Sequence, residues 1–504
     1  MRRPPRLLPT IAAAALLAGC GTSPEAHYAK AQERFAAQDY DAARVELAAA
    51  LHERPRDLAM LALLAKAQLR LGDPDGAMMT IGRLRGAGAN GPAVMRFEAE
   101  ARLLAGKPQD ALGLLGSDAS PDAWRLRARA HLALGHPDSA IAAFERGVAA
   151  GNDVRLLADY VWFHVSANDL PAADALLKRL QGFAPKAMET LIVAGDLAVR
   201  QGRIDSALAD YRRAAQLYPS RFQPLVSEAE LHERLGQLDA AAKAADAADA
   251  VEPGHPVIAT IKLRLAAKRG KWRDVRGALQ GREDRLDPQS AEGQLYAEAL
   301  LRLGQPEQAR TILGRTLVMQ PGNRQARLLL GEALLAGGDA AGAFDTLAPL
   351  AEGLFVEPQE LAMAEKAARA AGRPEADRWA AQLRSPEFRR RGEAASAAAL
   401  AIQRGDWAAA AEAYRTLAPG TDDPVVLVNL AYATSKAGRA AEAVAIADRA
   451  LALVPGDPQM LKTAALARLD AGRDRDAAAR LLRAARAADP ADPETALLLR
   501  RAGG

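Results

Sequence analysis

Apolar residues recur at helical spacing along most of the chain, in paired segments separated by a short polar turn. From Met188 the apolar positions fall on one face of a helix, and this run stops at a turn centred on Gly202. A second amphipathic segment follows, with Asp205 as an N-cap or first-turn acid, and it ends before Pro219, which cannot continue a helix. The pattern therefore predicts a helical hairpin.

The glycine of that turn, or a residue in its place, returns at nearly fixed spacing through the chain. Glycine accepts the left-handed conformation that a helix C-cap needs, and asparagine is the next-best residue. These turn positions are Gln38, Gly72, Gly106, Gly135, Asn168, Gly202, Gly236, Gly270, Gly304, Gly338, Gly372, Gly405, Gly438 and Gly472. All but one of the steps are 33 or 34 residues, the length of one helix–turn–helix repeat, so we predict a solenoid.

A small residue stands five positions after nearly every turn position, where it lets two helices approach closely. Twelve of these fourteen residues are alanine, and the departures are Val275 and Asp377. Large side chains follow four residues later, and prolines such as Pro219 stand seventeen residues after six turn positions. This arrangement resembles the tetratricopeptide repeat (TPR). The resemblance covers residues 24–490 and implies an all-α, right-handed superhelical solenoid of about fourteen repeats.

The repeat weakens at particular joints. Three glycines precede the shortest step, which runs from Gly106 to Gly135 and spans 29 residues, so we predict flexure at 86–121 and again at 384–392. Residues 491–504 are expected to form a terminal capping helix and a tail. A basic cluster, Arg384, Arg389, Arg390 and Arg391, is assigned to an inter-repeat loop, either simply solvated or in contact with anionic headgroups or an acidic partner.

The first nineteen residues have the pattern of a cleaved signal peptide. Three arginines precede a mostly apolar stretch, Leu7–Leu16, which is too short to span a membrane. The stretch leads to Leu17-Ala18-Gly19-Cys20, which resembles the bacterial lipobox, and the resemblance implies lipid attachment at Cys20. An ordinary signal peptide with an incidental cysteine is the alternative.

The residue after Cys20 bears on the membrane to which a lipoprotein would go. In lipobox proteins an aspartate there favours the inner membrane, whereas Gly21 implies an outer-membrane protein facing the periplasm. Residues 20–23 would then form a short lipid tether, stabilised by several buried acyl chains. The formal charge of +4 falls to about +1 once the three leader arginines are removed, so we expect no nucleic-acid partner.

The motifs of familiar enzyme sites are missing from the sequence. The seven histidines form no His-Glu-x-x-His pattern, no serine stands in a Gly-x-Ser-x-Gly elbow, and Cys20 is the only cysteine. We therefore expect no catalytic residue, cofactor or metal, and the function is expected to reside in a binding surface.

The TPR resemblance implies that the first helix of each repeat lines a concave groove, with one position, six residues before the turn position, pointing into it. Carboxylates occupy that position in several repeats, and in three of them an arginine follows four residues later. The candidate groove residues are Glu100, Asp196, Arg200, Glu230, Arg234, Glu298, Arg302 and Glu332. The alternative is that each acid and the following arginine form an ordinary helical pair, contributing a few tenths of a kcal/mol.

Three aromatic residues, Tyr160, Trp162 and Tyr432, also lie on predicted first helices, where packing between helices is the favoured interpretation over a ligand platform. The lipobox and the first repeat, Pro24–Ala31, resemble TPR lipoproteins encoded with exosortase (PEP-CTERM) and exopolysaccharide-export systems. This resemblance implies a scaffold that binds envelope proteins along its concave face. A pilus, secretion or outer-membrane-protein assembly factor, and an envelope enzyme or its obligate subunit, are the alternatives.

Overall fold

The computed structural model describes residues 23–282, 286–287, 290–353, 356–418 and 423–503. Within these ranges the regular structure consists of twenty-nine α-helices joined by short turns, and no residue forms a strand. The fold is therefore an all-α solenoid of helical hairpins, as the period predicted. The leader and Cys20 lie outside the described residues. None of the described helices is long and apolar enough to span a membrane.

Contacts between Cα atoms divide the chain into two compact units, Met1–Asp110 and Ala111–Gly504. Unit 1 is built on a continuous apolar core from Ala31 to Ala101. Its helices are α1 Pro24–Ala36, α2 Tyr40–Glu53, α3 Leu58–Arg70, α4 Pro74–Gly86 and α5 Pro92–Leu104, and α6 Pro108–Leu115 spans the division. Flexure at 86–121 and at 384–392 stays a prediction.

Unit 2 continues the alternation of first and second helices, and its apolar clusters follow one another along the chain. Its helices are α7 Pro121–Ala133, α8 Pro137–Ala150, α9 Val154–Ser166, α10 Leu170–Phe183, α11 Met188–Arg200, α12 Ile204–Leu217, α13 Gln223–Arg234, α14 Leu238–Val251, α15 Pro256–Lys268, α16 Trp272–Leu279, α17 Ala291–Arg302, α18 Pro306–Met319, α19 Arg324–Ala336, α20 Ala340–Ala351, α21 Pro358–Ala370, α22 Glu375–Arg384, α23 Pro386–Gln403, α24 Trp407–Leu417, α25 Pro424–Lys436, α26 Ala440–Leu453, α27 Pro458–Asp470, α28 Arg475–Ala488 and α29 Pro493–Ala502.

The turn positions behave as the spacing predicted. All fourteen have a positive φ, between 57° and 87°, including the two that are not glycine, Gln38 and Asn168. In most hairpins the next helix begins two residues later, often at an aspartate that accepts a hydrogen bond from the first helical turn, such as Asp73 from the Gly76 amide at 2.8 Å. Each turn therefore ends one helix and positions the start of the next.

The small residues after the turns are buried, with two exceptions. Eleven of the twelve predicted alanines are completely buried, as is Val275. In the last repeat Ala478 is buried instead of Ala477, because left-handed Asp474 adds one residue before α28 begins. In α22 the side chain of Asp377 is 93% exposed, and Ala376 is buried there instead. The charge of an aspartate is too costly to bury between helices.

The basic cluster does not lie in a loop. Helix α22 ends at Arg384, and α23 begins after a single residue, Ser385, whose Oγ accepts a hydrogen bond from the Phe388 amide at 3.0 Å. Arg389, Arg390 and Arg391 are therefore helical. The loop prediction was wrong because a serine N-cap followed by a proline is a strong helix start that needs no further residues.

Candidate functional site

A concave pocket of about 430 Å³ lies in unit 2 between the first helices of three consecutive hairpins, α9, α11 and α13. Positions six and two residues before a turn position are four residues apart, so they share one face of the helix. All six such positions of these three hairpins line the pocket, and they are Trp162, Ser166, Asp196, Arg200, Glu230 and Arg234. Four of the eight candidate groove residues are therefore brought together in one place.

Tyr211 on the second helix α12 forms the floor of the pocket and fixes Asp196. Its hydroxyl donates a hydrogen bond to Asp196 Oδ1 at 2.7 Å. Burial raises the pKa of Asp196 despite this hydrogen bond, and the charge of Glu230 raises it further. Burial also raises the pKa of Tyr211, so the phenol stays protonated and continues to donate. Gly195 makes room for the ring, since a Cβ there would lie 2.8 Å from Tyr211 Cδ1.

Two arginines of the pocket form no ion pair with any described residue, although the charge of Arg234 acts to lower the pKa of Asp196. Among the described residues neither Arg200 nor Arg234 has a carboxylate within ion-pair distance or a hydrogen-bond partner. Asp196 is engaged by Tyr211, and Glu230 lies 4.0 Å from Arg264 on α15 instead. The expected helical pairs Asp196–Arg200 and Glu230–Arg234 are therefore not formed. Both guanidinium groups remain able to bind an anionic group from outside.

Trp162 is the residue that the sequence interpretation assigned incorrectly. Its side chain is half exposed, at 52%, and it lines the pocket, whereas Tyr160 is buried and stacks on Phe144 with ring centroids 4.7 Å apart. Packing is therefore the correct interpretation for Tyr160 and the wrong one for Trp162. The turn position Asn168 contained the missing signal, because Trp162 stands six residues before it.

On α15, the first helix of the next hairpin, Arg264 and Lys268 pair with a carboxylate that the sequence interpretation also missed. Glu233 accepts hydrogen bonds from Arg264 Nε at 3.2 Å and Arg264 Nη2 at 2.6 Å, and it lies 2.9 Å from Lys268 Nζ. Glu233 is buried and stands three residues before its turn position, outside the groove positions. The cations of α15 are therefore already paired within the chain.

The remaining candidates, Glu100, Glu298, Arg302 and Glu332, all form ion pairs within the chain. Arg302 on α17 pairs with Glu298 at 3.4 Å and with Glu332 on α19. In unit 1, Arg70 on α3 lies 3.2 Å from the buried Glu100 on α5. Glu332 and Glu100 therefore link the first helices of neighbouring repeats, whereas Glu298 and Arg302 form the helical pair that was the alternative interpretation.

Comparison with known proteins agrees with the helical hairpins. Models of the tetratricopeptide repeat match residues 34–101, 121–158, 192–256 and 297–352. These segments are therefore tetratricopeptide repeats, and the matched range 192–256 contains the pocket residues of α11 and α13. Repeats of this kind are typical of protein–protein interaction scaffolds. None of the curated proteins that were compared matches the chain.

Solved structures that align with this chain include two with low TM-scores. One is described as the crystal structure of the APC/C hetero-tetramer Cut9-Hcn1, with 14% identity, a TM-score of 0.37, and coverage of 95% of this chain and 96% of that chain. The other is the P58(IPK) TPR domain, with 16% identity, a TM-score of 0.24, and coverage of 69% of this chain and 98% of that chain.

Proposed function

We propose that this protein is a periplasm-facing outer-membrane lipoprotein that binds segments of other envelope proteins along its first helices. The observation that carries the binding role is the pocket between α9, α11 and α13, where two arginines that form no ion pair with any described residue lie beside an exposed tryptophan. The proposed occupant is an extended segment with carboxylates for Arg200 and Arg234 and an apolar side chain against Trp162.

The membrane anchor is supported by the sequence alone. The lipobox ending at Cys20 and the following Gly21 support acylation and outer-membrane localisation. The resemblance of the first repeat to exosortase and exopolysaccharide-export lipoproteins supports a role in assembling or exporting an envelope component. A pilus, secretion or outer-membrane-protein assembly factor would use the same pocket and anchor, as would a non-catalytic subunit of an envelope enzyme.

Crosslinking in cells tests the binding role. A photo-crosslinking residue at Val199, which lines the pocket, is expected to capture a defined set of envelope proteins. The same residue at Val318, an 83% exposed position on the second helix α18, is the matched control and should not capture that set. Adding Arg200→Glu and Arg234→Glu should abolish the Val199 product. If the product persists with both charges reversed, the pocket is not the binding site.

Metabolic labelling tests the anchor independently. Cys20→Ser should abolish incorporation of labelled palmitate and release the protein from membranes, while the purified protein keeps its helical content. Retention in the outer-membrane fraction without palmitate would contradict lipid anchoring and would leave the binding role untouched. The identity of the crosslinked proteins then separates the export system from the alternatives.

A further inference from the structure

The last helix of unit 2, α29, packs against α8, which lies near the beginning of the unit. Ala496 on α29 is completely buried in an apolar cluster with Phe144 and Ile141 of α8, and Leu497 packs on the same cluster. The residues just before these two helices also lie close together: a Cβ added to Gly135, before α8, would lie 3.3 Å from the Cβ of Ala491, before α29. The final helix is therefore not simply a cap on the hairpin before it.

Two more contacts join the same parts of the chain. Asn168 Nδ2 donates a hydrogen bond to the hydroxyl of Tyr432 on α25 at 2.5 Å. The turn at Gly202 touches the turn at the end of α23 so closely that a Cβ on Gly202 would lie 2.5 Å from the carbonyl oxygen of Arg404. Helices α7–α11 are called the first arm below, and helices α23–α29 the last arm.

The order of these contacts shows how the arms are arranged. Along the first arm the contacting residues run forward, from Asp138 through Asn168 to Gly202, whereas their partners run backward, from Arg486 through Tyr432 to Arg404. Successive turns of a regular superhelix would instead keep a constant separation along the chain. Unit 2 therefore folds back on itself, with its two arms antiparallel.

The charges on the two arms are complementary. Asp138 and Glu145 on α8 pair with Arg486 at 2.5 Å and Arg500 at 2.6 Å, so the first arm supplies the acids and the last arm the bases. The charge of Lys436 on α25 acts in the same sense near Asn168, where it helps to lower the pKa of Asp169, although the hydrogen bond from His164 lowers that pKa most.

The closed arrangement depends on weak interactions. The four ion-pairing side chains are between 21% and 55% exposed, so salt screens them, and the apolar contact consists of an alanine and one leucine. The hydrogen bond to Tyr432 is specific to this turn. Asn168 is the only asparagine among the turn positions, and the glycine found at most of them has no side chain to reach Tyr432. The contact between the arms is therefore specific, whereas the ion pairs that hold it are individually weak.

We propose that the two arms form an electrostatic latch that closes unit 2 on itself and opens as the ionic strength rises. In the closed state Tyr432 is hydrogen-bonded to Asn168, two residues after the pocket residue Ser166; burial raises the pKa of its phenol, and the charge of Arg200 acts to lower it. Opening separates Tyr432 from Asn168 and exposes Asp138 and Glu145 of α8. The latch is independent of which partner the pocket binds.

Distance measurement between spin labels tests the latch in the full chain. Cys20→Ser leaves Ala149→Cys on α8 and Ala484→Cys on α28 as the only thiols, both at exposed positions. At low salt we expect one short, narrow distance, which lengthens and broadens at about 1 M salt, where the Debye length is about 3 Å. The proposal is overturned if the distance between the two spin labels does not change with salt concentration, or if it is already long at low salt.

Variants separate the latch from a general effect of charge. Asp138→Arg with Glu145→Arg should open the arms at low salt, and adding Arg486→Asp with Arg500→Glu should close them again. Asp174→Arg, which breaks only the exposed Asp174–Lys178 pair within α10, is the matched control and should leave the distance unchanged. Opening by the control, or no rescue by the exchanged charges, contradicts the latch.

Asn168→Gly offers a gentler variant, because glycine is the usual residue at that turn and the fold is expected to survive. Loss of the hydrogen bond to Tyr432 should allow the arms to open at a lower salt concentration.

Dilution with unlabelled chain distinguishes closure within one molecule from pairing between two copies. A short distance that disappears on dilution would mean that the arms pair between molecules, which overturns the intramolecular latch.

Discussion

The pocket region, α9–α13, and the region α17–α19 use the same groove positions with opposite results. In α17–α19, Arg302 is held between Glu298 of its own helix and Glu332 of the next first helix. The corresponding partners of Arg200 are Asp196 and Glu230, and it pairs with neither. Spacing alone therefore does not decide whether an arginine supports the solenoid or remains available to a partner.

The difference comes from residues outside the groove positions. Asp196 is one methylene shorter than glutamate and is held by the hydroxyl of Tyr211, whereas Leu313 takes the place of that tyrosine in α18. Glu230 lies 4.0 Å from Arg264 on α15 and does not pair with Arg200, whereas Glu332 pairs with Arg302 although α21 has a cation, Lys366, at the position equivalent to Arg264. The tyrosine hydroxyl that engages Asp196 thus distinguishes the pocket region, where among the described residues neither Arg200 nor Arg234 forms an ion pair.

The largest expected effect concerns the glycine seven residues before the turn in each region. Gly195 faces the ring of Tyr211, and Gly331 faces the side chain of Leu347. Alanine at either site overpacks the hairpin, at a cost of about 1–3 kcal/mol in the free energy of unfolding. Gly195→Ala should be the worse of the two, because Tyr211 cannot move without losing its hydrogen bond to Asp196, whereas leucine can change rotamer.

Urea unfolding followed by circular dichroism measures this difference. Gly314→Ala on α18 is the control, since a Cβ there meets nothing within 4 Å and the gain in helix propensity should stabilise by about 0.5–1 kcal/mol. Equal losses at Gly195 and Gly331 would show that the hydroxyl of Tyr211 does not hold the ring.

The architecture was predictable because the repeat is set by local chemistry. A residue that tolerates positive φ, a capping aspartate and a buried alanine recur in nearly every period, and each acts within one hairpin. The exceptions are Asp377 and Ala477, where the buried small residue is a neighbouring alanine, Ala376 or Ala478, instead of the predicted position. Spacing could not reveal the ion pairs, because each depends on side-chain length and on the charge of the next repeat.

The pocket was predictable only in part. Counting from the turn positions placed Asp196, Arg200, Glu230 and Arg234 on a common surface, and the same count applied to Asn168 identifies Trp162. The cross-arm contacts had no such signal, because Asn168 and Tyr432 are 264 residues apart and no local pattern connects them. Such contacts follow from the accumulated geometry of many repeats.

A second prediction compares the two arginines directly. Arg302→Ala removes two partly exposed ion pairs and should lower the free energy of unfolding by about 0.5–1 kcal/mol. Arg200→Ala removes none and should change it by less than about 0.5 kcal/mol. Urea unfolding at low salt provides the measurement, and repeating it at high salt should diminish the loss at Arg302. A larger loss for Arg200 than for Arg302 would reverse the comparison.

The smallest effect concerns the stability at neutral pH of two carboxylate variants, one in each region. Burial raises the pKa of Asp196, so the folded chain keeps a proton there to higher pH than the unfolded chain. The free energy of unfolding therefore falls as the pH rises from the ordinary aspartate pKa to the raised value. Asp196→Asn keeps an oxygen that can accept from Tyr211 and removes this loss.

We therefore expect Asp196→Asn to be more stable than the parent chain at neutral pH and equal to it near pH 3, below about 3.9. Glu298→Gln should instead lose a few tenths of a kcal/mol at neutral pH, because it gives up an ion pair with Arg302. Urea unfolding at both pH values decides the sign. If both variants lose stability at neutral pH, the charged form of Asp196 stabilises the fold, as that of Glu298 does. The lack of an Asp196–Arg200 ion pair would then be due to side-chain geometry and not to the burial of Asp196.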